Sequence, residues 1–359
     1  MNLFKPAFIG VAAAALAITA CTSGKPVEET VSGLNPARFD SIVNNKKTAL
    51  FTLKNSNGME VCITNFGGRV VSLVVPDANG KPTDVVLGYD NLKQYTDSVN
   101  SPSDFGSSVG RYANRIGGGK LTVAGKTYQL PQNNFGHCLH GGPSGWMYQV
   151  YDAKQPNDST LILTIVSSDG DNNFPGTVTA HTTYKVLSNN TLDITFDATT
   201  DKETVVNMTN HSYFNLNGDP SKEGTNMWLY LNADNYTPAD STYMTTGEIL
   251  SVEGTPMDFR KAHALSQTIN DTSFEQIRNA SGYDHNWCLN TYKDGKGDDT
   301  KVCAVLWSPL TKIGLSMYTN EPGVQLPGNR RKLQARHQVS EARIGLSGEP
   351  EISRLTQQA

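Results

Sequence analysis

Ala49-Leu50-Phe51-Thr52-Leu53-Lys54 and Glu60-Val61-Cys62-Ile63-Thr64-Asn65, joined by a turn at Asn55-Ser56-Asn57-Gly58, decide the fold class. Two short apolar, β-branched runs on either side of an Asn-rich, Gly-containing linker have the composition of a hairpin. Gly67-Gly68 then opens Arg69-Val70-Val71-Ser72-Leu73-Val74-Val75-Pro76, a further strand ended by proline. Asp77-Ala78-Asn79-Gly80-Lys81-Pro82 reads as a turn, and Asp84-Val85-Val86-Leu87-Gly88 as a buried strand. Asn91 to Tyr95 fits one helical turn, and Leu121 to Leu130 a second hairpin. Glycine (32) and proline (17) are plentiful, and long runs of helix formers are scarce, so the chain is expected to be all-β. Its 359 residues, 37% apolar, allow one large β domain or two average ones with ample core. No repeat of fixed period, heptad pattern or low-complexity domain interrupts this rhythm.

The first residues follow a different pattern. Lys5 precedes an apolar, alanine-rich run from Phe8 to Ala20, and Ile18-Thr19-Ala20-Cys21 sets small residues before a cysteine. This reads as a secretory signal over residues 1–20. The cysteine resembles a bacterial lipoprotein box, with Cys21 acylated as the mature N-terminus; an ordinary cleaved signal is the alternative. The apolar run falls short of the ~20 residues that span a bilayer. Residues 21–38, rich in Ser, Gly, Pro and charge, read as a tether. The implied location is a bacterial cell envelope, lipid-anchored, with secretion to the periplasm as the alternative.

A formal charge of −4 offers no basic surface for nucleic acid. Cys62, Cys288 and Cys303 sit in apolar, strand-like runs, and with Cys138 they read as buried small hydrophobes rather than disulfides or a zinc site.

Three stretches carry chemistry. Thr209-Asn210-His211-Ser212-Tyr213-Phe214-Asn215-Leu216 follows the strand-like Glu203-Thr204-Val205-Val206-Asn207-Met208. It combines hydrogen-bonding side chains with aromatic rings, as a sugar's hydroxyls and C–H faces require; a core histidine satisfied by Asn210 is the competing reading. Gly110-Arg111-Tyr112-Ala113-Asn114-Arg115-Ile116-Gly117-Gly118-Gly119-Lys120 lacks the spacing and the Ser or Thr of a P-loop, and reads as a tight turn aiming Asn114 and Arg115 at something polar. A structural pair between Arg115 and a carboxylate is the alternative. His137-Cys138-Leu139-His140-Gly141-Gly142 places glycines after a histidine, where backbone can approach a ligand. His137 and His140 face opposite ways on an extended segment, so no metal site is expected.

These stretches recur in one order with Asp169-Gly170, Phe174-Pro175-Gly176 and Gly282-Tyr283-Asp284-His285-Asn286. Together they resemble the aldose 1-epimerase (galactose mutarotase) family over roughly residues 40–325. The resemblance implies a single-domain, large antiparallel β-sandwich (residues 39–325) with a concave sugar-binding face, no cofactor or metal, and a free aldohexose such as glucose or galactose as substrate. It implies His211 as general acid at the ring oxygen and His140 orienting the sugar beside it. Asn114, Arg115, Asp284 and Gln325 would bind hydroxyls, with a salt bridge to a buried arginine as the alternative for Asp284 and a strand-end backbone bond for Gln325. A sugar-binding lipoprotein without turnover, or a related epimerase of phosphorylated or acidic sugars, is the alternative function. Oligomeric state is not legible.

The resemblance stops at Gln325. Relatives continue into a strand bearing a glutamate general base, whereas residues 326–359 match none of it. This tail has no Phe, Tyr or Trp, holds six Lys/Arg against three Glu, and shows no alternating apolar run of strand length. A shifted reading frame or an unusual terminus would produce it. Glu341, Glu349 and Glu351 lack apolar neighbours, and none is assigned as the base. Activity is expected to be impaired, and the sheet to lose its last strands.

Overall fold

The hairpin forms as read: Leu50–Lys54 pairs antiparallel with Glu60–Thr64, which pairs with Arg69–Pro76, which pairs with Pro82–Asp84. The computed structural model describes residues 29–97, 104–219, 221–329 and the backbone of 353–358. Every residue of Glu60–Thr64 is buried, because this four-stranded sheet is covered on both faces. Val61 and Ile63 point into the main core, against Leu161, Leu163 and Ile194, while Cys62 points the other way, toward Phe39, Tyr89 and Tyr95. The alternation of a strand therefore feeds two cores at once.

A nine-stranded sheet packs across that main core. Its order is Asp152–Asn157, Thr160–Ser167, Val178–Val186, Leu192–Thr200, Ser353–Gln358, Gly314–Thr319, Ala304–Trp307, Trp228–Leu231 and His263–Ala264. A third sheet, Leu250–Ser251, Asn235–Thr237, Gly282–Cys288 and Gly323–Asn329, closes a second core around Phe259, Tyr283 and Trp287. The result is the expected large antiparallel β-sandwich. In Val178–Val186 buried and half-exposed residues alternate almost without break, the pattern of a strand with one face in the core. The four described cysteines are unpaired thiols, buried or half-buried. No helix among the described residues is long and apolar enough to cross a membrane.

Four expectations need correction. Residues 203–208 are not a strand: only Asn207 makes a bridge, to Tyr112, and the ladder begins at Thr209. Their β-branched character has no continuous partner to pair with. Strand Pro82–Asp84 ends before Val85, although Val86 still bridges Phe214. The described part of the expected tether, residues 29–38, packs on the sheet: Leu34 is buried, and the Val31 N–H donates to the Glu60 carboxylate at 2.7 Å. Its apolar residues outweigh its flexible composition. Finally, the third sheet runs past Gln325 to Asn329, and Ser353–Gln358 forms a strand parallel to both Leu192–Thr200 and Gly314–Thr319. The tail thus lends the sheet a strand that alternation did not reveal. Cys21 and the signal, like Glu341, Glu349 and Glu351, lie outside the described residues.

Candidate active site

His211 is held by a two-residue ladder. Thr209–Asn210 pairs with Ser108–Val109, the His211 N–H donates to the Ser107 carbonyl at 2.8 Å, and its carbonyl accepts from Gly106 at 3.0 Å. Asn210 spends its amide locally, donating to the Gly106 carbonyl at 2.9 Å and accepting from the Ser212 N–H at 3.1 Å. The Tyr213 ring stacks on the imidazole, centroids 5.2 Å apart at 27°. Asn210 therefore shapes the turn that presents His211.

A second ladder, Arg115–Ile116 with Cys138–Leu139, brings His140 to the same place. His140 takes φ 52°, and Gly141 follows at φ 80°. A side chain at Gly141 would put Cβ 2.4 Å from the Gly110 carbonyl oxygen, so only glycine lets the backbone pass there. Asn114, itself at φ 62°, clamps His140 from both sides: its carbonyl accepts from the His140 N–H at 3.1 Å, and its own N–H donates to Nδ1 at 3.0 Å. A ring that accepts at Nδ1 carries its proton on Nε2, so neutral His140 is a donor at that nitrogen. The two imidazoles meet with centroids 5.3 Å apart at 88°.

Asp104 completes the cluster. One donor atom from each of Asp104, His140 and His211 lies within 4.8 Å of the other two, a set able in principle to hold a metal ion. The residue is placed from below: its carbonyl accepts from the Ser107 N–H and hydroxyl at 3.2 and 2.8 Å, and buried Arg69 donates to the next carbonyl, Phe105, at 3.0 Å. His137 takes no part. Its Nδ1 accepts from the Gly118 N–H and its Nε2 meets the Thr242 hydroxyl, so it does not join His140, as its spacing implied.

All six residues named from sequence line one cavity of about 620 Å³, within the range of small-molecule sites. Arg115 aims Nε and Nη2 at the Asn134 amide oxygen, 3.2 and 2.9 Å away, and its guanidinium lies over the Tyr243 ring at 5.2 Å. Burial lowers its pKa and the nearby Asp284 charge opposes that. Asp284 and Gln325 stand on adjacent strands, and the Gln325 amide donates to Asp284 Oδ1 at 3.0 Å. Gln325 therefore bonds through its side chain. His285, next in sequence, points the opposite way into the core; burial pulls its pKa down to about 4, and its Nε2 meets Gln276 Oε1 at 3.0 Å. Asp104, Asn134, Tyr243 and the half-buried Glu321, whose pKa burial raises, were not singled out from sequence. They come from loops and strand ends whose nearness only the fold creates. The Asp169–Gly176 motif proves structural: Arg111 donates to the Pro175 and Gly176 carbonyls and to the Ser167 hydroxyl.

The family model described as aldose 1-epimerase matches residues 49–342, continuing beyond Gln325. The aldose 1-epimerase of Escherichia coli (strain K12) is 36% identical over 276 residues, 77% of this chain and 77% of its own length. The galactose mutarotase of Rattus norvegicus is 37% identical over 270 residues, 75% of this chain and 74% of its own. Among solved structures, an aldose epimerase homologue from C. elegans superposes with a TM-score of 0.66 at 29% identity, covering 75% of this chain and 78% of that one. A galactose 1-epimerase from Lactobacillus acidophilus gives 0.64 at 28% identity, covering 75% of each. The ordered motifs, the sandwich and these relatives agree: the chain belongs to the aldose 1-epimerase family.

Proposed function

We propose that this protein interconverts the α and β anomers of a free hexose, glucose or galactose, by general acid–base ring opening. The carrying observation is the pair of imidazoles at 5.3 Å on a cavity they share with Asn114, Arg115, Asp284 and Gln325. Opening breaks the C1–O5 bond while a proton leaves the anomeric hydroxyl and another reaches the ring oxygen. His211 supplies the proton to O5, since an imidazole holds both protonation states near neutrality. His140, with its proton on Nε2, donates a hydrogen bond that orients the same region of the ring. Arg115, Asn114, Asp284 and Gln325 bind the remaining hydroxyls. Arg115 is the one Lys or Arg among the described cavity residues, which favours a neutral sugar over a phosphorylated one. The chemistry calls for no cofactor.

The base is the open half of this reading. The family's C-terminal glutamate has no assigned counterpart here, and a missing base would cost about 10²- to 10⁴-fold in rate. That favours a second reading, a sugar-binding protein without turnover. The signal and Cys21 extend the proposal to lipid anchoring in a bacterial envelope, with a secreted periplasmic protein as the alternative; the mass of the mature N-terminus tests it, an acylated Cys21 being the expected result. Anomer exchange on freshly dissolved α-D-glucose or α-D-galactose, followed by polarimetry, separates the two functions. Acceleration over buffer supports the epimerase, and binding without acceleration supports the binding protein.

A further inference from the structure

We propose that Asp104 is the general base of this site, taking the proton from the anomeric hydroxyl while His211 protonates the ring oxygen. The inference rests on the epimerase reading and supplies the half that reading leaves open.

Three observations carry it. First, the base must be an acceptor near the acid. O1 and O5 of a pyranose are bonded to the same carbon, so the two proton-exchanging groups must sit close together. Asp104 and His211 do so, each with a donor atom within 4.8 Å of the other and of His140. Second, His140 is excluded from the role in its neutral form, because the Asn114 N–H occupies Nδ1 and leaves Nε2 carrying hydrogen. Third, the other acids among the described cavity residues are placed elsewhere. Asp284 accepts from Gln325 on the pair of strands Gly282–Cys288 and Gly323–Asn329, and among the described residues neither it nor Glu321 joins the histidine cluster. Asp104 lines the cavity, with its carbonyl held by Ser107 and the next carbonyl, Phe105, held by Arg69.

The step balances. The O1–H electrons form the C1=O1 bond as the proton passes to the Asp104 carboxylate. The C1–O5 pair leaves on O5, which takes the proton of His211. Rotation about C1–C2 and closure on the other face return both protons, and nothing is oxidised or reduced.

The test uses the full chain with Asp104→Asn, Asp104→Ala and Asp104→Glu, measuring kcat and KM for anomer exchange across pH 4–9. Sugar binding is measured in parallel to show that each variant is folded. The expected result is a loss of about 10²- to 10³-fold in kcat for Asp104→Asn with little change in KM. The acidic limb of the kcat–pH profile should disappear with it, Asp104→Glu should recover part of the rate, and formate should partly rescue Asp104→Ala. An active wild type with Asp104→Asn within threefold of it overturns the assignment alone. So does a rate loss that leaves the acidic limb in place and resists formate, or a wild-type rate abolished by chelator and restored by zinc, which would make the cluster a metal site. A wild type that binds sugar without exchanging anomers overturns the epimerase reading and this assignment together.

Discussion

The two walls of the cavity are built differently. On one, His140 and His211 hang from two-residue ladders, Arg115–Ile116 with Cys138–Leu139 and Ser108–Val109 with Thr209–Asn210. Left-handed Asn114 and His140 and the close passage at Gly141 shape the backbone that carries His140. On the other, Asp284 and Gln325 stand on the seven-residue strands Gly282–Cys288 and Gly323–Asn329. There the period of two does the sorting: Asp284 and Asn286 turn to the cavity, His285 and Trp287 are buried away from it, and buried Tyr283 borders it. The contrast is clearest in the histidines. His285 is buried in the core by its strand register, which pulls its pKa down to about 4, whereas irregular backbone delivers His140 and His211 to one another. On the proposed reading, the irregular wall positions proton transfer and the regular wall offers hydroxyl contacts.

Breaking the irregular wall should cost most. His211→Ala is expected to lower kcat by about 10²- to 10⁴-fold with KM nearly unchanged, since it removes a proton donor rather than a binding contact. A comparable loss in KM would move His211 to the binding role.

The next effect is on stability and belongs to His285. Its pKa is depressed from 6.5 to about 4 by burial, so the folded chain takes up its proton later than the unfolded chain as pH falls. Stability from this group is therefore full above about pH 6.5 and is lost on going down to about pH 4, by about 3 kcal/mol. Urea unfolding at pH 7, 5.5 and 4 measures the slope, and His285→Gln should flatten it.

On the regular wall the effects should be smaller and confined to binding. Asp284→Asn removes a charged acceptor, and a loss of about 1.5–3 kcal/mol corresponds to KM rising roughly 10- to 150-fold at similar kcat. Gln325→Ala, which removes a neutral contact, should raise KM by about 2- to 10-fold. Equal collapse of kcat in either variant would erase the distinction between the walls.

What the sequence revealed follows the same division. Period-two strands such as Glu60–Thr64, and the hairpin of Lys120–Val123 with Lys126–Gln129, were legible because local composition and turn residues determine them. The six cavity residues were legible through ordered motifs. Asp104 was not, because nothing beside it signals chemistry; it gains meaning only when Gly106 and Ser107 pair with His211. Residues 203–208 misled in the other direction, their β-branched composition implying a ladder the fold does not provide. Ser353–Gln358 escaped because its strand depends on slots offered by Leu192–Thr200 and Gly314–Thr319 rather than on its own alternation.

The central claim is geometric and is tested most directly by an experimental structure with glucose or galactose bound. The ring oxygen is expected within hydrogen-bonding distance of His211, the anomeric hydroxyl on the Asp104 side, and the remaining hydroxyls toward Arg115, Asp284 and Gln325. A hexose bound with its anomeric carbon toward Asp284, or outside this cavity, would contradict it.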